Sequence, residues 1–206
     1  MLFNTLALIS LLIVLMLLNT LVGICPSLLA CLIRWKESVN LDASVKLGRD
    51  RDIMALCMMI PFCLTVFRFR LYDPSWTDGM LPNPRLAAII GIFAAYVALR
   101  SVLEYGLRSN KMNLKTYKTA CKASYTFFSV LTLLLLLTGG VLSFIGVDPE
   151  DIRNAMLWIS ALIYMLFIIR KFQIFVSSCS FFSGFLYLCA LELIPTGAVI
   201  ASAVLL

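Results

Sequence analysis

The chain has 206 residues, of which 62% are hydrophobic and 14% charged, with a mean hydropathy of +0.98. A soluble domain carries roughly 25% charged residues because its surface faces water, so 17 basic and 11 acidic side chains cannot clothe a globule of this length. Composition excludes a water-soluble enzyme and a disordered chain, which is charge-rich and poor in apolar residues, and leaves an all-α, polytopic transmembrane helical bundle in a single integral membrane domain.

Apolar runs of about 20 residues, the length that crosses a bilayer, predict about six spans. The first, near 5–33, begins MLFNTLALIS without the positive start of a signal peptide and runs too long for one, so an uncleaved helix is expected. The second, near 53–72, has a short uncharged run, Ile53 to Phe67, and needs Arg68 and Arg70 to snorkel to headgroup level. The third, near 86–107, must carry Arg100 and Glu104 toward the far interface, and its Ala87, Gly91, Ala94, Ala95 and Ala98 form a small-residue face suited to close helix packing. The fourth, near 123–147, is the cleanest. The fifth, near 152–169, closes at Arg170 and Lys171, and the sixth, near 174–206, is interrupted only by Glu192 and Pro195. That last run exceeds the hydrocarbon core, so either its first turns around Ser177 to Ser180 lie outside or it is broken near Pro195.

Six spans put both termini on one side, and the basic residues select which. Thirteen of the 17 fall in Arg34 to Asp52, Arg100 to Lys122 and Arg170–Lys171, at the far ends of spans one, three and five, against Arg68, Arg70, Arg85 and Arg153 on the other side. The positive-inside rule then makes the basic side cytoplasmic and both termini external. The segment YDPSWTDGMLPNPR (Tyr72 to Arg85) reads as an external loop with Trp76 at headgroup depth, and GVDPED (Gly146 to Asp151) as a tight turn. No loop exceeds about 20 residues, which leaves no room for a separate soluble domain.

The sequence holds no histidine, so the commonest general base and the usual imidazole metal ligands are missing, and its seven cysteines form no CxxC pair. No catalytic residue, metal or cofactor is expected. The serines of VSSCSFFSG could act as nucleophiles only with Lys171 as base, a poor geometry on one segment. Chemistry is expected instead at Glu192, the one acid deep in a span, where an ionisable group costs at least about 2.5 kcal/mol and needs a partner. Pro195 withholds a backbone donor one turn away, and the Thr196 hydroxyl is within reach of the carboxyl. A broken helix with an acid at the break suits an ion or substrate site; the alternative is a Glu hydrogen-bonded to a neighbouring helix as an assembly lock.

Arg100, Glu104 and Arg108 succeed one another at four-residue steps, either as an interfacial charge ladder or as a set whose deepest member, Arg100, is a counter-charge to Glu192 or to an anionic ligand. Lys111, Lys115, Lys118 and Lys122 share a helical face opposite Leu114, Tyr117 and Cys121, so the segment near 108–122 reads as a cytoplasmic basic amphipathic helix facing anionic phospholipid headgroups. Its charge is what the positive-inside rule requires, and nucleic-acid binding is not expected.

The run Leu186, Tyr187, Leu188, Cys189, Ala190, Leu191, Glu192, Leu193, Ile194, Pro195, together with the upstream IRKFQIFVSSC and the segment FRFRLYDP, resembles the closing signature of a Bacteroidota multi-pass membrane family, domain of unknown function 4271. The resemblance implies an inner-membrane location with a periplasmic outer face and implies no activity. The primary expectation is therefore a non-enzymatic accessory or scaffold subunit of an envelope assembly, with other membrane proteins and the lipid bilayer as partners. The second is a small permease or lipid-handling protein using Glu192 as an intramembrane proton or cation site. A membrane-embedded enzyme is a distant third.

Overall fold

The computed structural model describes residues 2–72, 74–77, 79–107 and 114–205. Helices α1 (Leu2–Ile33), α2 (Trp35–Ala43), α3 (Val45–Cys57), α4 (Met59–Arg68), α5 (Pro82–Gly106), α6 (Leu114–Ile145), α7 (Pro149–Val176), α8 (Phe181–Leu188) and α9 (Ile194–Leu205) form an all-α bundle. A 3-10 turn at Ser75–Thr77 and a π turn at Cys189–Leu193 complete it, and no strand occurs among the described residues. Five helical stretches are long and apolar enough to cross a membrane: Phe3–Ile33, Pro82–Gly106, Thr116–Ile145, Pro149–Val176 and Phe181–Ala203. Their outward faces carry large apolar side chains, with Met16 and Phe144 at 85% and 93% exposure. In water such surfaces would drive association, whereas lipid solvates them.

The second expected span differs. Residues near 53–72 are shared between α3 and α4, which meet at Met58. Pro61 explains the break, since its missing N–H leaves the Cys57 carbonyl without the donor that a continuous helix would supply. At 10 residues, or about 15 Å, α4 alone is too short to cross a hydrocarbon core of roughly 30 Å. It lies inside the bundle instead, with Pro61 through Val66 buried.

The core is organised around α6, which packs against α1, α2, α3, α4 and α7. Its inward face is unusually polar for a buried helix, with Thr126, Ser129 and Thr132 all buried. Ser129 and Thr132 satisfy themselves by donating to the carbonyls of Tyr125 and Phe128 one turn back, both at 2.9 Å. The α6–α7 hairpin closes through a Schellman cap: Val147 N–H donates to Leu142 O at 3.1 Å and Gly146 N–H to Ser143 O at 3.3 Å. Gly146 supplies the required positive φ of 80°, and Pro149 starts α7 with its fixed φ. Further down the hairpin, a side chain at Gly139 would collide with Met156 and come within 2.9 Å of the Phe69 ring, so glycine is what lets the loop after α4 wedge against both helices.

Contacts at the two ends of the bundle fix which segments lie together. At one end Phe3 of α1 sits 5.6 Å from Phe67 of α4, centroid to centroid, and Tyr72 bonds Ser202 of α9 at 2.7 Å, so both chain ends flank the loop after α4. At the other, Lys122 pairs with Asp52 at 3.2 Å and Arg170 Nε donates to Leu32 O at 3.0 Å, joining α1, α3, α6 and α7. Arg51 is 1% exposed there and is held by Asp42 and Asp52, each at 2.8 Å.

Two further expectations are revised. Of the segment near 108–122, residues 108–113 lie outside the described residues, and from Leu114 onward it is not a separate surface helix but the opening of α6, continuous with the apolar part. Its Tyr117 is buried against the aromatic rings of α7 and α8 rather than turned to lipid, because the start of α6 is clasped by those helices. The small-residue face of α5 is likewise turned outward. Ala87, Gly91, Ala94, Ala95 and Ala98 are exposed, and Leu86 and Ile89 are buried instead, because the larger side chains fill the space facing α4 and the core.

Breaking a buried ion pair by removing one partner strands the other charge and costs about 3–5 kcal/mol. Arg51→Met is therefore expected to lower unfolding stability in detergent by that amount, measured by thermal denaturation, while exchange of the exposed Lys118 to Met leaves the midpoint unchanged.

Candidate functional site: a buried charge cluster beside an apolar cavity

The last helical stretch, 181–205, is helical without interruption but widens to a π turn over Cys189–Leu193, where Ile194 N–H reaches Cys189 O. In a regular α-helix the ring of Pro195 would strike the carbonyl four residues back, and the wider turn immediately before it removes that clash. The break near Pro195, one of the two expected alternatives, is not found: α7 extends through Lys171 to Val176, the chain turns at Ser177–Ser180, and Pro195 alters the turn geometry without interrupting the helix.

The π turn presents Glu192 to the interior, where it is fully buried. Its Oε1 meets two cations: Arg100 Nη2 of α5 at 2.6 Å and the ammonium of Lys171 on α7, itself fully buried. Arg100 also binds Glu104 Oε1 at 3.2 Å and donates to Ser124 Oγ of α6. The Phe167 ring flanks both cations, 6.0 Å from the Arg100 guanidinium and 5.5 Å from the Lys171 ammonium, and the Phe175 ring lies 5.8 Å from Lys171. Aromatic faces attract cations where water is excluded. Two positive and two negative side chains thus cancel, as burial in a low dielectric requires.

Glu192 Oε2, by contrast, is buried without a hydrogen-bond partner. Unpaired acceptors are uncommon in interiors, since losing water without replacement costs about 1–3 kcal/mol or more for a charged group. Glu192 lines a cavity of about 320 Å³ bordered by α3, α4, α5, α6, α7 and α9, a volume at the lower end of ligand pockets, roughly 300–1,000 Å³. The polar end is made by Glu192, Arg100, Ser124, Tyr96, Tyr164 and Thr196. The rest is apolar, including Phe62, Phe93, Phe128, Leu131 and Val199. Leu56, Val97, Ser101 and Tyr125 also border it and are exposed on the flank of the bundle, so the cavity reaches the lateral surface.

The expected site residues are placed as follows. Glu192, Arg100 and Glu104 come together in one network. Thr196 does not reach the Glu192 carboxyl; its Oγ1 pairs with Tyr96 OH at 3.2 Å, because side chains one turn on point toward α5. Pro195 is buried beside the cluster and shapes the turn. Arg108 and Lys111 lie outside the described residues, as does the side chain of Lys115. Lys118 is exposed, and Lys122, whose side chain is 42% exposed, pairs with Asp52 at 3.2 Å. The serines after α7 cap turns: Ser177 donates to Ile174 O at 2.7 Å, and Ser180 Oγ accepts from Ser183 N–H, far from any base.

Lys171 was the residue hidden from sequence reasoning, because the pair Arg170–Lys171 looks like the end of a span. One signal was present: Ile163, Phe167, Lys171, Ile174 and Phe175 recur at helical spacing on one face, and all are buried. A lysine on that face demands an acid. Arg170, one residue earlier, points elsewhere and bonds Leu32 O and Gln173.

No family model, curated protein or solved structure matches the chain.

The network is expected to behave as one unit. Glu192→Ala, which leaves two buried cations facing each other, should cost about 3–5 kcal/mol of stability. In a double-mutant cycle with Lys171→Met the second substitution should recover at least 1 kcal/mol; additive losses in thermal or chaotrope unfolding would show that the two groups are not coupled.

Proposed function

We propose that the protein is a non-enzymatic, multi-pass membrane protein that takes an amphiphilic molecule from the bilayer into the cavity beside Arg100 and Glu192. The observation that carries this reading is one continuous space with a charged, fully buried end and an apolar body opening on the bundle's lateral flank. A chain enters such a site without crossing water, its tail among Phe93, Phe128 and Val199 and its head at the ion network. A cation carrier fits less well: Glu192 already binds two cations through one oxygen, and a third positive charge would meet repulsion.

The accessory-subunit reading draws on a different feature. The outward face of Ala87, Gly91, Ala94, Ala95 and Ala98 would let a helix of another membrane protein approach the α5 backbone closely.

For topology we propose six spans, with α3 and α4 together making the second, an inner-membrane location and both termini on the outer, periplasmic face. The basic tally supports this orientation, as does the clustering of both chain ends beside the loop after α4. The likeness of Leu186 to Pro195 to the Bacteroidota signature supports the inner membrane. Lys118 then faces the anionic headgroups of the cytoplasmic leaflet.

Two measurements test these readings. A photoreactive dodecanol carrying a diazirine on its chain, added to the protein in phosphatidylcholine nanodiscs, should label peptides containing Val97 and Tyr125. Val199→Trp, which fills the cavity, should reduce labelling at least fivefold; equal labelling would refute occupancy. Alkaline phosphatase fused after Leu206 should be active in a bacterial host, and a green fluorescent protein fusion there dark; the reverse pattern would overturn the six-span arrangement.

A further inference from the structure

Resting on the amphiphile-binding reading above, the geometry points to the chemistry of the head: we infer that the cavity selects an uncharged amphiphile bearing a hydroxyl, which donates its hydrogen to Glu192 Oε2. Arg100 is engaged by Glu104, Glu192 and Ser124, and Lys171 by Glu192, so neither cation stands waiting for an anion. The four charges of the cluster cancel, and an anionic head would add a fifth that nothing balances. Among the buried polar atoms of the cluster, what remains unsatisfied is an acceptor. Glu192 Oε2 has no partner and belongs to a fully buried side chain of a residue that lines the cavity's polar end.

A carboxylate oxygen accepts and does not donate, so the complementary group must carry a hydrogen. A hydroxyl does so without adding charge, and its own oxygen can accept in return from Tyr96, whose OH is free to donate when Thr196 supplies the hydrogen of their 3.2 Å contact. The sharper expectation that Arg100 itself receives an anionic head is thereby replaced by one in which Arg100 orients Glu192 and Glu192 reads the ligand.

The test is competition against the photoreactive dodecanol in the same nanodiscs, with each competitor at matched membrane mole fraction. Plain 1-dodecanol should halve labelling at a level at least tenfold lower than its methyl ether, which has the same chain and oxygen but no donor, and at least tenfold lower than dodecanoate. Equal competition by alcohol and ether overturns the inference, as does stronger competition by dodecanoate. In either case labelling that is lost in Val199→Trp shows that the cavity reading itself survives, whereas labelling that never depends on Val199 shows that it does not. Glycerol monolaurate separates the sources of such a hydroxyl: stronger competition than dodecanol identifies a glycerolipid, weaker competition a simple long-chain alcohol. The paired variant K171M/E192Q keeps the charge balance while turning the free acceptor into an amide donor. Its preference for alcohol over ether should vanish or invert, and an unchanged preference would show that Glu192 is not the acceptor.

Discussion

The ion network at Glu192 is the constraint on which the arrangement of the second half of the chain depends. A carboxyl, a guanidinium and an ammonium cannot be buried singly at tolerable cost, because an unpaired charge in a low-dielectric interior forfeits several kcal/mol of hydration. They can be buried together. Satisfying Glu192 requires α5 to bring Arg100, α7 to bring Lys171, and the last helix to turn its acid inward, so three helices are fixed in rotation and in register by one group. Within the hydrocarbon region, where apolar packing alone distinguishes poorly between neighbouring rotations, a charged contact of this kind supplies specificity.

The same cluster explains the cavity. Arg100 reaches across from α5 to Ser124 on α6 and to Glu192. A long side chain that spans the gap at one level holds the helices apart above it. Aromatic residues line the space without filling it, with Phe62 set edge-on to Phe93 and Phe128 at centroid distances of 4.9 and 5.1 Å. The π turn contributes in a complementary way. By accommodating Pro195 without a break, it keeps Glu192 on a rigid helix rather than on a mobile loop, and Thr196 and Val199 continue the cavity wall along the same side. Such widened turns recur where a helix carries a functional group.

At the opposite level of organisation, the end of the bundle bearing α2 shows how a basic segment can be structural. Arg51 with Asp42 and Asp52, Lys122 with Asp52, and Arg170 with the Leu32 carbonyl stitch α1, α3, α6 and α7 together. Several of the basic residues in the orientation tally are thus consumed locally by pairing. A tally of lysine and arginine reads topology because insertion responds to charge along the chain; it does not reveal which of those charges remain free once the chain is folded.

Much of the architecture was legible from residue order alone. Hydrophobic run length identified the long helices because crossing a bilayer sets a length that local sequence must meet. Gly-Val-Asp-Pro marked the turn between α6 and α7 because only glycine and proline supply those backbone angles. The isolation of Glu192 marked the centre of the site because its cost can be judged without knowing its neighbours. Three features needed the tertiary structure: the division of the second apolar run at Met58, the outward turn of the small face of α5, and the pairing of Lys171 with Glu192. Each depends on which side of a helix faces protein, and in a membrane both protein and lipid are apolar. Sequence hydrophobicity therefore determines that a helix is buried in the bilayer, whereas only the packing of its neighbours decides which face meets them and which charges meet each other.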